Sequence, residues 1–149
     1  MQLSKVRRAL ADAARTVVLP DGIPKLTCTG YVPDSITAPH FFAAEADITY
    51  DKAMGRRLDA FDITCRVLVG RQDDEAAQEV LDLLLSGAGP GSLKQCVESA
   101  RGAPGEAALG GLADDYRVER VQGYRWYEHA GTQYVGAELI IHVVGSGRI

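Results

Sequence analysis

The sequence has few aromatic residues, few cysteines and no long hydrophobic run. Aromatic side chains make up 7% of the 149 residues. The three cysteines, Cys28, Cys65 and Cys96, are odd in number and lack CxxC spacing, which argues against both a disulfide framework and a zinc site. No window approaches the roughly 20 consecutive apolar residues of a membrane span, and no signal-peptide pattern follows the basic residues near the N-terminus. We therefore expect neither a membrane segment nor a standard export signal.

Basic charge is scarce as well. The chain has 16 Lys and Arg residues against 20 Asp and Glu residues, a formal net charge of −4 and an isoelectric point near 5.3. Sequence-specific nucleic-acid-binding modules usually carry a basic excess, so this balance argues against such a module. The hydrophobic share of 46% and the charged share of 24% are typical of a globular protein, and the length fits a single domain over residues 1–149.

Three segments have the features of helices. In residues 4–17, apolar side chains recur at spacings of three and four after a candidate N-cap at Ser4. In residues 73–86 the same spacing follows acidic residues, which favour the start of a helix. The Gly- and Pro-rich residues 87–91 predict a helix stop and a turn, since a dinucleotide-binding loop would follow a strand. Residues 92–100 predict a short third helix, capped by the serine at its start.

Five segments favour strands. The clearest is residues 60–69, where apolar side chains, including that of Cys65, alternate with polar ones and so mark a strand with one buried face. Residues 115–124 are polar and interrupted in the manner of a bulged strand, and residues 126–131 (WYEHAG) predict a hairpin turn. The order of elements predicts an α+β fold, with a mostly antiparallel sheet of about five strands and two to three helices packed on one face. The five predicted strands are residues 25–31, 41–50, 60–69, 115–124 and 132–144.

Acidic residues are concentrated around the predicted second and third strands. Nucleases arrange such carboxylates and a lysine, here Lys52, around a metal ion, but carboxylates that alternate along a strand are more often its solvated face. The histidines His40, His129 and His142 show no metal-ligand spacing, and His142 is predicted on the polar side of the last strand. We therefore predict no metal site. The carboxylates concerned are Glu45, Asp47, Asp51, Asp59 and Asp62.

A second cluster combines aromatic residues with an arginine, at Tyr124, Arg125, Trp126 and Tyr127. Such a group can stack nucleic-acid bases, yet the same residue types are enriched at protein interfaces. In an acidic chain, an interface or simple local packing is the favoured interpretation.

The most informative segment outside the predicted core is residues 51–57 (DKAMGRR), which we call the arm. It offers Met54 for apolar contact, Gly55 for flexibility, and Arg56 and Arg57 for ion pairs, next to the clearest predicted strand. A mobile arm that becomes ordered against a neighbouring molecule would have this composition. A solvated loop is an equally good interpretation of the spacing alone.

Seven further segments, spread in order over nearly the whole chain, form a pattern behind the opening helix. They are residues 31–36 (YVPDSI), 48–51 (ITYD), 54–59 (MGRRLD), 67–71 (VLVGR), 85–87 (LSG), 89–94 (GPGSLK) and 134–139 (YVGAEL). In this order they resemble tail terminator proteins, also called tail completion proteins, of long-tailed bacteriophages, particularly those of actinobacterial hosts.

The resemblance implies a structural protein that forms a homohexameric ring on the tail tube. Such a ring stops tube polymerisation and offers the surface to which the DNA-filled head joins. The implied partners are other copies of the chain, the tail tube protein and a head–tail connector or neck protein. The resemblance implies no enzymatic activity and no cofactor. It also implies a place at the head-proximal end of the virion tail, reached from the host cytoplasm during assembly.

The resemblance points to one contact region in this chain, residues 51–59, and to no catalytic motif. Its candidate residues for contact with another subunit or with the tube are Asp51, Lys52, Met54, Arg56, Arg57 and Asp59. Acidic subunits lining a channel would let DNA pass by repulsion, without sequence-specific binding. Three alternatives stay open: another ring of the head–tail neck, such as a head-completion or stopper protein; a small metal-dependent nuclease using the carboxylates; and an adaptor that binds a peptide along a sheet edge.

Overall fold

The computed structural model describes residues 1–51, 58–71 and 74–146. Within these ranges, three α-helices and five strands form an α+β fold with a mostly antiparallel sheet, as predicted. Two short 3₁₀ turns, Glu98–Ala100 and Leu109–Gly111, lie between the third helix and the fourth strand. The elements are α1 (Leu3–Ala14), β1 (Thr27–Thr29), β2 (His40–Thr49), β3 (Leu58–Arg71), α2 (Glu75–Leu84), α3 (Leu93–Val97), β4 (Asp115–His129) and β5 (Thr132–Ser146).

The strand order is β1-β2-β3-β5-β4, and every pair is antiparallel except the parallel pair of β1 with β2. The alternation predicted for the third strand is confirmed. Ile63, Cys65 and Val67 are fully buried on one face of β3. Their partners on β5 are also apolar, so the two central strands together supply the middle of the core.

The helices pack on that same face of the sheet. Val6 and Leu10 of α1 and Leu81 and Leu84 of α2 are fully buried in one cluster with the central strands. The apolar spacing that predicts each helix is therefore the spacing of the side chains that seal the core. In the described part of the chain, no helix packs on the other face of the sheet.

Helix starts differ in how well the sequence predicts them. Ser4 is not the cap of α1, because the helix begins one residue earlier and its N-cap, Gln2, makes no side-chain capping bond. In α2 the cap is Asp74, whose Oδ1 accepts a hydrogen bond from the Ala76 amide at 3.0 Å. Ser92 caps α3 as predicted, with its hydroxyl oxygen accepting from the backbone N–H three residues on.

The hairpin between β4 and β5 corrects two boundaries. The predicted turn over residues 126–131 is wrong, since β4 continues through His129 and only Ala130 and Gly131 form the turn. Both turn residues have positive φ, 51° and 82°, which suits the right-handed twist of a two-residue hairpin loop. The predicted interruption of this strand is confirmed by register shifts at Glu119 and at residues 123–124, and those shifts hide its continuation from a period-two pattern.

Candidate functional site on the uncovered face and edges of the sheet

The sheet face turned away from the three described helices, which we call the open face, is largely polar on its central strands. Asp62 and Thr64 of β3 point to this face, and they alternate with the buried Ile63 and Cys65. The facing residues of β5 include Glu138 and His142. The polar side chains of the open face make up the candidate site.

One side of the open face is an acidic strip formed by Glu45, Asp47 and Asp62. Asp47 lies directly opposite Asp62 across the β2–β3 pair, and Glu45 lies opposite Thr64. The Asp62 carboxylate is 2.6 Å from Nδ1 of His142 on the neighbouring strand β5. Asp47 and Glu45 are exposed, and Oε1 of Glu45 lies 3.8 Å from Nη2 of Arg66 on β3.

A partly buried ion pair anchors the middle of the open face. Nη2 of Arg66 donates to Oε2 of Glu138 at 2.7 Å, and the Glu138 side chain is only 8% exposed. The centroid of the Tyr127 ring is 4.7 Å from Cζ of Arg66 and 4.9 Å from Cζ of Arg125, so both guanidinium groups make cation–π contacts with the ring. Burial raises the pKa of the Tyr127 hydroxyl, which donates to the Gly123 carbonyl at 2.6 Å.

The opposite side of the open face is a basic strip formed by Arg117, Arg120 and Arg125 of β4. Their register partners on β5 are His142, Ile140 and Gly136, which places all three arginines on the open face. Arg117 and Arg120 are more than half exposed, and Glu119 lies 4.0 Å and 3.4 Å from their guanidinium groups. The open face is therefore mainly acidic toward β2 and mainly basic toward β4, with Arg66 beside Glu45 and with Glu119 beside Arg117 and Arg120.

The sheet has a free strand edge on each side. β1 pairs with β2 only along residues 40–42, so no described strand covers the outer side of β2 from Ala43 to Thr49. On the other side, the 15-residue β4 pairs with β5 alone among the described strands. Unpaired edges of this kind are templates for pairing with another chain.

Both free edges also expose apolar side chains on the helix side of the sheet. Ile48 of β2 is opposite the core residue Phe61 but remains 38% exposed. On β4, Val121 and Trp126 pair with core residues of β5 and are 40% and 59% exposed. The exposed apolar surface of these side chains is available to a partner.

The structure describes two of the six predicted contact residues. Asp51, with a φ of 49°, follows β2, and its backbone N–H donates to Oδ1 of Asp59 at 3.1 Å. This bond joins the residue that follows Tyr50 to the second residue of β3. The predicted contacts Lys52, Met54, Arg56 and Arg57 lie outside the described residues.

The predicted carboxylate cluster is divided by the sheet. Asp47 and Asp62 face each other on the open face, whereas Asp59 is three residues from Asp62 on an unbulged part of β3 and so points to the opposite face. In the described part of the chain, no group of three His, Cys, Asp or Glu side chains is placed to hold a metal ion. His142 points to the polar side of β5, as predicted.

The predicted aromatic cluster is divided in the same way. Tyr127 is buried on the open face, while Trp126 points to the helix side. Tyr124 lies at a bulge and donates a hydrogen bond to Oδ1 of Asp82 on α2 at 2.8 Å. The three rings therefore do not form one stacking platform, and Tyr124 and Trp126 remain exposed at the β4 edge.

The cysteines are part of the core. Cys28 and Cys65 are buried, and desolvation raises the pKa of each thiol to about 12. A thiol with so high a pKa is protonated at neutral pH and is a poor nucleophile. Cys96 is buried as well.

The basic strip is not apparent in the amino-acid sequence. Its three arginines stand at spacings of three and five, which match neither face of a regular strand. The bulges at Glu119 and at residues 123–124 shift the alternation and bring the arginines to one face. The one sequence feature that points to the strip is the interrupted polar pattern of residues 115–124. This pattern predicts a bulge, but it does not show at which residues the bulge lies.

Comparison with protein-family models gives no match, and neither does comparison with curated proteins. None of the helices in the described ranges combines the length and the apolar character needed to cross a membrane.

Proposed function

We propose that this protein is a phage tail terminator, a structural protein that assembles into a ring on the tail tube and acts through docking surfaces. The proposal combines the sequence resemblance with one structural observation. That observation is the presence of two free strand edges of unlike charge on opposite sides of a sheet. Unlike edges suit a heterologous contact, in which one patch of a subunit meets a different patch of the next, and such contacts close into rings when the rotation fits.

The nuclease alternative has less support from the geometry. It needs the carboxylates of Asp47, Asp51 and Asp59 close to one metal ion. Asp47 and Asp59 point to opposite faces of the sheet, and the Asp59 carboxylate accepts a backbone hydrogen bond from Asp51. We therefore favour assembly over hydrolysis.

Tube capping tests the proposal directly. The tail tube protein of the same phage would be polymerised with and without this chain, and tube length would be measured by negative-stain imaging. We expect shorter tubes that carry a ring at one end and that bind no further tube protein. Tubes of unchanged length with no bound chain would contradict the proposal, and binding to the neck assembly alone would favour a head-completion or stopper protein.

A further inference from the structure

The two free edges match each other in strand direction. β3 runs antiparallel to both β2 and β5, and β4 runs antiparallel to β5. It follows that β2 and β4 run in opposite directions. If copies are placed side by side in the same orientation, the β4 edge of one meets the β2 edge of the next as an antiparallel pair, in which each chain completes the other's unpaired backbone hydrogen bonds.

The side chains on the open face match across the same junction. The β2 edge carries Glu45 and Asp47 of the acidic strip, with Asp62 on the neighbouring strand β3, and the β4 edge carries the basic strip of Arg117, Arg120 and Arg125. Side-by-side copies in one orientation bring the basic strip of one beside the acidic strip of the next. Complementary charge of this kind fixes register and rejects wrong partners.

The helix side of the junction matches as well, through apolar contact. Ile48 is exposed at the β2 edge, and Val121 and Trp126 are exposed at the β4 edge. These side chains would be removed from water together when the edges meet. A junction with apolar side chains on one face and opposite charges on the other has the general composition of a specific protein interface.

We propose that β4 of one copy pairs antiparallel with residues 43–49 of β2 in the next copy, with the basic strip of the first against the acidic strip of the second. The partner is thus a second copy of this chain, bound head to tail, and the sheet continues from subunit to subunit. This inference rests on the proposed function only for the expectation that the head-to-tail contact closes into a ring.

Charge reversal tests this junction. One variant carries Glu45→Lys and Asp47→Lys, a second carries Arg117→Glu and Arg120→Glu, and a third combines all four changes. All four side chains are exposed, so we expect the variants to fold, which circular dichroism would verify. Self-association would be followed by light scattering, at low salt and over a range of protein concentration.

Each two-site variant alone would place like charges across the junction, and we expect its self-association to be at least about tenfold weaker. The four-site variant restores opposite charges and should recover association. An equimolar mixture of the two two-site variants should also recover it, because their unlike strips alternate around the assembly. Reversal of exposed charges away from the junction, Glu79→Lys on α2 and Arg71→Glu at the end of β3, should leave association unchanged.

Three results would overturn the junction. They are self-association that is insensitive to both two-site variants, a two-site mixture that stays dissociated, and a closed dimer as the only assembly of the unmodified chain. Tubes that are capped by charge-reversed variants as well as by the unmodified chain would overturn the junction and leave the proposed function standing. Charge-dependent self-association without any tube binding would support the junction and overturn the proposed function.

Discussion

At the scale of single residues, close approach of the central strands determines which side chains are tolerated. Gly136 of β5 sits opposite Leu68 of β3, next to the bulge between Leu68 and Gly70. A Cβ atom at Gly136 would overlap the Val67 carbonyl oxygen and lie 2.7 Å from Cδ2 of Leu68. The absence of a side chain is therefore a packing requirement of the β3–β5 pair.

We expect Gly136→Ala to lower the free energy of unfolding by about 1–3 kcal/mol, because added volume in a packed interior forces neighbouring atoms to shift. Urea unfolding would measure the loss. Gly87→Ala is the matched control, since Gly87 is exposed and a Cβ there would meet nothing within 4 Å. Equal stability of the two variants would show that the strands separate without cost.

His40 gives a residue-scale prediction for pH dependence. Its side chain is buried, its Nδ1 accepts from the Thr37 amide at 3.3 Å and its Nε2 lies 3.2 Å from the Thr29 hydroxyl. Burial, with a smaller effect of the charge on His129, lowers the pKa of His40 below its ordinary value of about 6.5. The fold therefore favours the neutral form of this imidazole.

The unfolded chain takes up a proton on His40 as the pH falls below about 6.5, and the folded chain does so only at lower pH. We therefore expect the free energy of unfolding to fall from pH 6.5 downward until the native pKa of His40 is passed. Urea unfolding between pH 7.5 and 5.0 would measure this slope, and His40→Gln should make it shallower. Identical slopes in the variant and the unmodified chain would contradict the assignment.

At the scale of elements, the β4–β5 hairpin shows how two residues fix a long pairing. Ala130 adopts a φ of 51°, in the left-handed region that disfavours residues with a side chain other than Asn or Asp. The neighbouring glycine has a φ of 82° at no such cost. Strand pairing over most of two 15-residue strands holds Ala130 in this conformation.

We expect Ala130→Asn to raise the free energy of unfolding by about 0.5–1 kcal/mol, because asparagine tolerates the left-handed conformation that this turn requires. Thermal or urea unfolding would detect the gain. Ala107→Asn serves as the control, since Ala107 is an exposed loop residue without positive φ. A gain of the same size at both sites would mean that the turn conformation is not its cause.

At the scale of the whole molecule, the division of charge matters more than the net charge of −4. The acidic strip and the basic strip lie on opposite sides of one sheet face, so the molecule is polarised across the direction in which copies would add. Both strips are solvent-exposed in the single chain, which makes their attraction sensitive to salt.

We therefore expect self-association to weaken as NaCl rises from 50 mM to 1 M, because the screening length falls to about 3 Å at 1 M. Light scattering at several salt concentrations would measure the change. Association that strengthens steadily with salt would indicate an interface dominated by apolar contact at Ile48, Val121 and Trp126, with little contribution from the charged strips.

The sequence by itself determined the helices, the alternation of β3, the cap at Ser92 and the choice of residues for the core, because these features depend on local spacing. It also indicated that the carboxylates of this region form a solvated strand face, which holds for Asp47 and Asp62 but not for Asp59, whose side chain points to the opposite face. Only the tertiary structure decided that β5 lies between β3 and β4, which sets His142 against Asp62 and leaves β2 and β4 with free edges. Alternation with a period of two predicts to which face of the sheet a side chain points, but it does not predict which strand is the neighbour. The two bulges of β4 place its arginines on one face, which a regular alternation does not predict.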